Sequence, residues 1–340
     1  MHAPIPTSVP PAGERPLVSM LLIAYRQPDT IGAAVAGALA QTYQPLEIIA
    51  SDDASGDATW TNLCAAVEGY GGPHRVRLNR NEANLGIGAH LSALAQMAQG
   101  ELLVVAAGDD VSLPQRCERL VQAWLAQGRR PDLLASALAD IDDNGRVHGE
   151  IVPTELQSYS SLAEWATRPP FVVGAAQAWT KRLFDRFGPL PAGTVAEDLV
   201  MVFRAIGSGG ALTLREPLVQ YRRGGISRRR RSLHARDVVE RLLKNNRHAL
   251  VETEQMLRDA QRMGRLDEVG EHLRGVLARE RFIAELFAAD GTLQRLRVAW
   301  RAQGQPVLLR LRLLTYAAAP WLLSPFFALK RLAAKRRRAD

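Results

Sequence analysis

The sequence predicts an α/β protein with a mostly parallel central sheet, helices on both faces and a helical C-terminal region. Two strand-length apolar runs, Val18–Ala24 and Leu102–Ala107, are typical of strands that are buried on both faces. Such runs alternate with helix-length stretches, and this alternation favours a parallel sheet covered by helices. From His234 to Arg301 the apolar residues recur only at helical spacing.

The elements follow one another in a regular order up to about residue 140. Strands are predicted over residues 18–24, 46–50, 76–78, 102–107, 133–138 and 218–221. Helices are predicted over residues 31–39, 59–67, 87–98, 114–127 and 197–206. Residues 141–195 lose the alternation and contain several prolines, so we expect a loop-rich insertion.

Four regions are predicted along the chain. Residues 1–16 form a flexible Pro-rich lead, 17–232 the α/β domain, 233–303 a helical region and 304–340 an apolar and basic tail. The first fifteen residues hold prolines and no apolar core, so no signal peptide is predicted. Cys64 and Cys117 offer neither a disulfide framework nor a thiolate zinc site, and a cytoplasmic protein is expected.

The net charge of +8 is confined to the tail. Residues 301–340 hold nine Lys or Arg against Asp340 alone, and the rest of the chain is balanced. A protein that coats nucleic acid should carry its basic surface on the folded domain, so no nucleic-acid partner is expected.

Two acidic pairs follow predicted strands. Asp52-Asp53 suits hydrogen bonds with a nucleobase or a ribose, and Asp109-Asp110 suits Mg²⁺ or Mn²⁺ with substrate phosphates. Open α/β sheets bind ligands at this edge. Both pairs are also typical of turn and helix-cap residues, and that alternative stays open.

A third acidic pair, Glu197-Asp198, opens a predicted helix. The helix N-terminus would keep these carboxylates ionised, and an ionised carboxylate facing a hydroxyl is a plausible general base. Helix capping alone is the other interpretation of this pair.

The order of motifs resembles that of family 2 glycosyltransferases over residues 17–227. The matching segments are Val18–Arg26, Gln41-Thr42-Tyr43, Leu46–Ile49, Asp52–Ser55, Asn84-Leu85-Gly86, Gly100-Glu101, Gly108-Asp109-Asp110, Leu113-Pro114, Phe187-Gly188, Glu197-Asp198 and Tyr221-Arg222. The resemblance implies the glycosyltransferase type A fold and inverting transfer of a sugar from a nucleotide-diphospho-sugar donor.

The resemblance also implies roles for individual residues. The donor would be bound by Ala24, Tyr25, Asp52, Asp53, Asn84, Asp109 and Arg222. A divalent metal, Mg²⁺ or Mn²⁺, would be held by Asp109 and Asp110. Asp198, with Glu197 beside it, would deprotonate the acceptor hydroxyl.

Three positions depart from the family pattern. Ala107 replaces the first aspartate of the Asp-Xaa-Asp motif, Leu91 replaces an arginine, and a glycine stands where a histidine often follows Tyr221-Arg222. Arg222, Arg223 and the run 228–231 could supply charge to the diphosphate instead. A solvated loop is the alternative for that run.

The tail predicts attachment to the inner face of the cytoplasmic membrane. The uncharged stretch Leu313–Leu329 is shorter than a span and contains two prolines, and a basic segment follows it. We therefore expect a peripheral, interfacial anchor, which suits a lipid-linked or other saccharide acceptor. The alternative is a C-terminal helix that packs on the helical region.

Two other function classes compete with a transferase of surface polysaccharide such as O-antigen or capsule. A sugar nucleotidyltransferase should have a Gly-rich basic loop after the first strand, and Tyr25–Pro28 differs from one. A catalytically degenerate fold that acts as a membrane scaffold or sugar-binding subunit is favoured by Ala107.

Overall fold

The computed structural model describes residues 15–222 and 235–323. In these ranges the strands are β1 (Val18–Ala24), β2 (Leu46–Asp52), β3 (Arg75–Arg80), β4 (Leu102–Ala107), β5 (Val111–Ser112), β6 (Leu133–Ile141), β7 (Val147–Ile151), β8 (Gln177–Thr180) and β9 (Ala211–Arg222). The helices are α1 (Ile31–Leu39), α2 (Thr59–Val67), α3 (Ile87–Met97), α4 (Arg116–Ala126), α5 (Leu162–Thr167), α6 (Lys181–Phe187), α7 (Glu197–Ile206), α8 (Ala235–Met263), α9 (Leu266–Ala288), α10 (Gly291–Arg301) and α11 (Val307–Ala318).

The strands form one mixed sheet in the order β3-β2-β1-β4-β8-β6-β9-β5, with β7 paired to β6. The long pairings are parallel: β1 with β2 and β4, β2 with β3, and β6 with β9. The antiparallel pairings of β5, β7 and β8 are short. The predicted fold class, a mostly parallel sheet with helices and a helical C-terminal region, is confirmed.

The core lies on both faces of the first half of the sheet. Strands β1, β2 and β4 are buried along almost their whole length, as their apolar runs predict. Small residues let α1 approach the sheet closely. A Cβ atom on Gly37 would lie 2.8 Å from Val111 Cγ1 and 2.9 Å from the Ser112 carbonyl oxygen, so only glycine fits there.

The second half of the sheet differs from the prediction. Strand β9 begins at Ala211 and not at Leu218, because its pairing with β6 continues through register shifts at Ser136–Leu138 that accommodate Pro217. Strands β7 and β8 and helices α5 and α6 form in the stretch predicted to be loop-rich. Their short lengths give little periodicity, so only their pairing partners identify them.

The described residues form two compact units. The first comprises residues 15–222 and Arg258–Val269, and the second comprises residues 235–257 and 270–323. The first unit therefore includes the end of α8 and the start of α9, which the sequence assigns to the helical region.

The second unit has its own apolar core. Phe282, Ile283 and Leu286 of α9 pack with Ala299 of α10 and Leu313 of α11. This packing of Leu313 is what the alternative of a packed C-terminal helix predicts for that residue. Among residues 15–222 and 235–323, no helix is long and apolar enough to cross a membrane.

Three features of the sequence prediction lie outside the described residues. They are residues 1–14 of the Pro-rich lead, the arginine run 228–231, and the part of the tail from residue 324 onward.

A fully buried ion pair holds α7 against the end of α8 within the first unit. Arg204 Nε lies 2.7 Å from Asp259 Oδ2, and both side chains are wholly buried. Arg204 Nη1 also donates to the Gly188 carbonyl, and Arg262 Nη1 donates to the Phe187 carbonyl at 2.7 Å. Residues 258–263 thus fix the position of the helix that begins with Glu197 and Asp198.

Asp259→Asn should lower the free energy of unfolding by about 3 kcal/mol, because it leaves the Arg204 guanidinium buried without its counter-charge. Urea denaturation followed by circular dichroism measures the loss. The control is Glu254→Gln, which breaks the exposed pair of Glu254 and Arg281 at 3.0 Å and should cost less than about 1 kcal/mol. Similar losses in both variants would contradict the structural role of the buried pair.

Candidate functional site

Hydrogen bonds join the ends of β1, β2 and β4 at one edge of the sheet. The Asp53 amide donates to the Ala24 carbonyl at 2.9 Å, and the Gly108 amide donates to the Ile23 carbonyl at 2.8 Å. The segments that follow these three strands therefore start side by side. Asp52-Asp53 and Asp109-Asp110 share the carboxyl edge at which open α/β sheets bind ligands.

The loop after β1 is held to the loop after β2. Arg26 and Ala54 both have positive φ, at 54° and 55°, and the Arg26 amide donates to Ser55 Oγ at 2.8 Å. Tyr25 is 41% exposed at this edge, and the Arg26 guanidinium carbon lies 5.1 Å from the centre of its ring. The structure thus presents the Tyr25 ring to solvent, where a planar base could stack.

Asp53 is buried and organises the turn before α3. Its carboxylate accepts hydrogen bonds from Asn81 Nδ2 at 2.8 Å, the Leu85 amide at 2.9 Å and the Gly86 amide at 3.0 Å. Asn84 Nδ2 donates to the Asp53 carbonyl at 3.3 Å. These contacts match the turn interpretation of Asp53, and a contact with a nucleoside stays a prediction.

Asp52, the last residue of β2, is fully buried. Its Oδ2 accepts from the Ser55 amide at 3.1 Å and lies 3.4 Å from Arg80 Nε. Nearby, His90 Nε2 lies 2.6 Å from Ser51 Oγ, and burial lowers the pKa of the His90 imidazole. Sequence reasoning missed His90, although a histidine on the apolar face of a predicted helix is a signal that could have found it.

Asp109 and Asp110 occupy different environments although they are adjacent. Asp109 is half-buried and accepts a hydrogen bond from the Gln27 side chain. Asp110 is buried, and its Oδ1 accepts from the Arg222 amide at 2.8 Å. Burial raises the pKa of Asp109, and burial with the neighbouring Asp109 carboxylate raises the pKa of Asp110 to about 7.

The Arg222 side chain lies against the same segment. Its Nε donates to the Asp109 carbonyl at 3.2 Å, and its Nη1 donates to the carbonyls of Asp142 and Asp143. The last residue of β9 therefore places a cation beside the Asp109-Asp110 pair, as the motif order leads us to expect.

Arg116 connects this pair to the turn at Gly174–Ala176, which lies against Glu197 at the start of α7. The side chain is fully buried, and burial lowers the pKa of its guanidinium to about 10. Nη1 donates to Ser112 Oγ at 2.9 Å, Nη2 donates to the Ala175 carbonyl at 2.6 Å, and its charge acts on Asp110. Sequence reasoning missed Arg116, but a charge within the apolar stripe of a helix signals a buried partner.

The N-terminus of α7 is enclosed by two close glycine contacts. A Cβ atom on Gly174 would lie 2.6 Å from Glu197 Oε1, and one on Gly88 would lie 2.9 Å from Thr194 Cβ. Glu197 is buried, whereas Asp198 is half-buried. The structure thus places Asp198 beside the Gly174 turn, where a Cβ atom on Gly174 would lie 3.6 Å from Asp198 Cβ.

A divalent metal held by Asp109 and Asp110 stays a prediction, because Asp110 is buried and its Oδ1 already accepts from the Arg222 amide. Within residues 15–222 and 235–323, no group of three or more His, Cys, Asp or Glu side chains could hold a metal ion. Two carboxylates completed by water and substrate phosphates are nevertheless a usual Mg²⁺ arrangement. A cation there would favour the ionised form of both carboxylates, whose pKa values burial raises.

The chain is similar in sequence to known glycosyltransferases. The sequence model described as "Glycosyl transferase family 2" matches residues 19–169. "Succinoglycan biosynthesis protein ExoO" of Rhizobium meliloti (strain 1021) is 29% identical over 238 residues, covering 64% of this chain and 65% of that protein. "UDP-Glc:alpha-D-GlcNAc-diphosphoundecaprenol beta-1,3-glucosyltransferase WfaP" of Escherichia coli is 54% identical over 44 residues, covering 13% of this chain and 18% of that protein.

A solved structure shows the same fold. S. aureus TarS 1-349 in complex with UDP-GlcNAc is 16% identical, has a TM-score of 0.52, and covers 88% of this chain and 91% of that one. The chain spans less than two thirds of the length of ExoO and WfaP.

The sheet order and the likeness to TarS show the glycosyltransferase type A fold. Residues 19–169 are a glycosyltransferase family 2 domain.

Asp53→Asn should loosen the turn before α3, because an NH₂ group replaces one of the two carboxylate oxygens. This group cannot accept the hydrogen bonds that the oxygen accepts. We expect the free energy of unfolding to fall by about 2 kcal/mol. Hydrogen exchange at the Leu85 and Gly86 amides should become faster. The control is Asp143→Asn, whose side chain is exposed. Unchanged exchange at Leu85 and Gly86 would refute this role.

Proposed function

We propose that the protein is an inverting glycosyltransferase. It would move a sugar from a nucleotide-diphospho-sugar to a hydroxyl of a saccharide acceptor. One observation carries the proposal: a family 2 domain whose two strand-end acidic pairs share one edge of the sheet.

The donor would lie along the edge formed by β1, β2 and β4. The nucleoside would lie near Tyr25 and the turn that Asp53 holds. Ala24, Asp52 and Asn84 belong to the strand ends and the loop around that position. The diphosphate would lie near Asp109 and Arg222. When bound, Mg²⁺ or Mn²⁺ would neutralise charge on the leaving nucleoside diphosphate.

Asp198 is the proposed general base. The acceptor oxygen would form a bond to the anomeric carbon while the bond from that carbon to the diphosphate oxygen breaks, and the acceptor proton would pass to Asp198. One displacement from the opposite face inverts the anomeric centre, so no covalent nucleophile is needed. Buried Glu197 would fix the start of α7 beside the Gly174 turn.

The biosynthetic setting is part of the proposal. The names of the similar proteins ExoO and WfaP refer to succinoglycan biosynthesis and to a diphosphoundecaprenol-linked acceptor. They support a role in surface polysaccharide synthesis, such as O-antigen of lipopolysaccharide or capsule, with a lipid-linked acceptor. The protein would then work in the cytoplasm, attached peripherally to the inner face of the membrane through residues 304–340.

A catalytically degenerate scaffold or sugar-binding subunit is the second candidate. Ala107 favours it, because an alanine in the Asp-Xaa-Asp position leaves fewer carboxylates for a metal. A thermal-shift screen of UDP-glucose, UDP-GlcNAc and GDP-mannose would identify a donor, since binding raises the apparent stability by mass action. No nucleotide binding and no turnover would favour the scaffold.

Asp198→Asn should lower kcat of transfer by about 10²-fold or more while the donor Kd changes little, because the base acts on the acceptor. Release of nucleoside diphosphate and calorimetric titration with the donor found in the screen measure the two effects. Asp185→Asn on α6, exposed in the structure, is the control. A variant with normal turnover would remove Asp198 from the base role.

Removal of divalent metal with EDTA should reduce transfer on the order of 10²-fold, and Mn²⁺ should restore it. Asp109→Asn should weaken Mn²⁺ binding. Electron paramagnetic resonance in the presence of donor measures this binding. The control is Asp143→Asn, which changes an exposed carboxylate of the same charge. Full activity in EDTA would exclude metal dependence. Residues such as Arg222 would then have to neutralise the charge of the diphosphate.

A further inference from the structure

The second unit carries an exposed apolar surface on its last two long helices. We call it the hairpin face. Its six members, with their exposed fractions, are Leu293 64%, Leu296 47%, Trp300 74%, Val307 59%, Leu308 82% and Leu311 56%. Six large exposed apolar side chains on two paired helices indicate an interaction site, whereas single exposed apolar residues need no explanation.

Helices α10 and α11 form an antiparallel hairpin. Arg295 Nη1 donates to the Ala317 carbonyl at 2.6 Å, which joins the start of α10 to the end of α11. Arg310 Nη1 donates to the Ala299 carbonyl at 3.1 Å, which joins the end of α10 to the start of α11. Trp300, Val307 and Leu308 therefore lie at the same end of the hairpin.

The hairpin face is separate from the core of the unit. Val298, Ala299 and Leu309 pack, together with Leu313, on the cluster around Phe282 of α9. The members on α10 are spaced i, i+3, i+7, and those on α11 are spaced i, i+1, i+4, so each set occupies one side of its helix. Burial of the opposite sides leaves the hairpin face outward.

The charge of the same segment is uniformly positive. Residues 291–323 contain five arginines and no Asp, Glu or Lys. Arg297, Arg301 and Arg312 are exposed. An apolar surface on a segment whose charged residues are all arginines is complementary to a bilayer that contains anionic lipids.

We propose that the hairpin face docks the protein on an anionic lipid bilayer, with Trp300 at the level of the headgroups. A second copy of the chain fits less well, because a two-fold contact through this face would bring the two sets of arginines together. Trp suits the headgroup level because its ring is apolar and its N–H remains hydrated.

This inference rests on the membrane location in the proposed function and extends it. The sequence pattern predicts the anchor at residues 304–340, whereas half of the hairpin face belongs to α10. Sugar transfer is not needed for docking. A variant that no longer binds vesicles but still transfers sugar to a soluble acceptor has lost docking alone. A protein without any transfer activity contradicts the proposed function instead.

Vesicle flotation of the full chain tests the proposal. The probes are vesicles of phosphatidylcholine and equimolar vesicles of phosphatidylcholine and phosphatidylglycerol. Leu293→Ser/Trp300→Ser/Leu308→Ser should bind the anionic vesicles about tenfold more weakly or worse. The control Leu78→Ser/Val147→Ser/Phe171→Ser changes three exposed apolar residues of the first unit and should bind normally. Equal binding of the two triple variants would overturn the proposal.

A charge series tests the arginines. Arg297→Gln/Arg301→Gln/Arg312→Gln should lose most of the preference for anionic vesicles, about tenfold or more. The control Arg236→Gln/Arg247→Gln/Arg274→Gln removes the same charge from exposed positions on α8 and α9. An equal loss in the control would show that only net charge matters and would overturn the assignment to this face.

Quenching of tryptophan fluorescence by brominated lipids separates α10 from the rest of the tail. Trp321→Phe retains Trp300 and should still be quenched on the anionic vesicles. Adding Trp300→Phe should remove most of that quenching. Identical quenching in the single and double variants would place the contact elsewhere. Light scattering that shows a dimer dissociated by the Leu308 change would assign the face to a second copy and would overturn docking on lipid.

Discussion

The site depends on the position of β1 between β2 and β4. All three strands are buried, so their parallel register is fixed by the core on both faces of the sheet. The register continues past the strands through the hydrogen bonds of Asp53 with Ala24 and of Gly108 with Ile23. Because β1 aligns both neighbours, two acidic pairs that are far apart in sequence reach one edge.

Buried charge then fixes the parts of the site that the sheet does not reach. Arg116 links the Asp110 region to the turn at Ala175, and the pair of Arg204 and Asp259 holds α7. A buried charge is costly unless its partner is held in place, so each of these contacts strongly restricts the local geometry. Helix α7 is restrained at its start by the neighbouring glycines and again near its end at Arg204.

The second unit follows a simpler principle. Its helices bury one apolar side in the cluster around Phe282 and Leu313, and they leave a second apolar side outward. A helix that is apolar on two sides needs two apolar environments. The protein core supplies one of them, and we infer that lipid supplies the other.

Most elements of the first half were predictable, because continuous apolar runs and helical periodicity are local properties. Strands β1 and β4 and helices α1, α2 and α7 have the predicted bounds. Strand β9 was predicted too short because Arg215, Glu216 and Pro217 interrupt its pattern, and only its pairing with β6 carries it through. Short strands such as β8 depend in the same way on their partners.

The sequence by itself determined the fold class, the family motifs and the acidic pairs at the strand ends, since these follow from local pattern and chain order. Tertiary structure decided what each acidic side chain contacts. Asp53 turns inward to hold the Leu85–Gly86 turn, and Asp110 turns inward to the Arg222 amide, whereas Asp109 and Asp198 remain half-buried. Such differences arise because burial and hydrogen-bond partners come from segments distant in the chain, which no local pattern encodes.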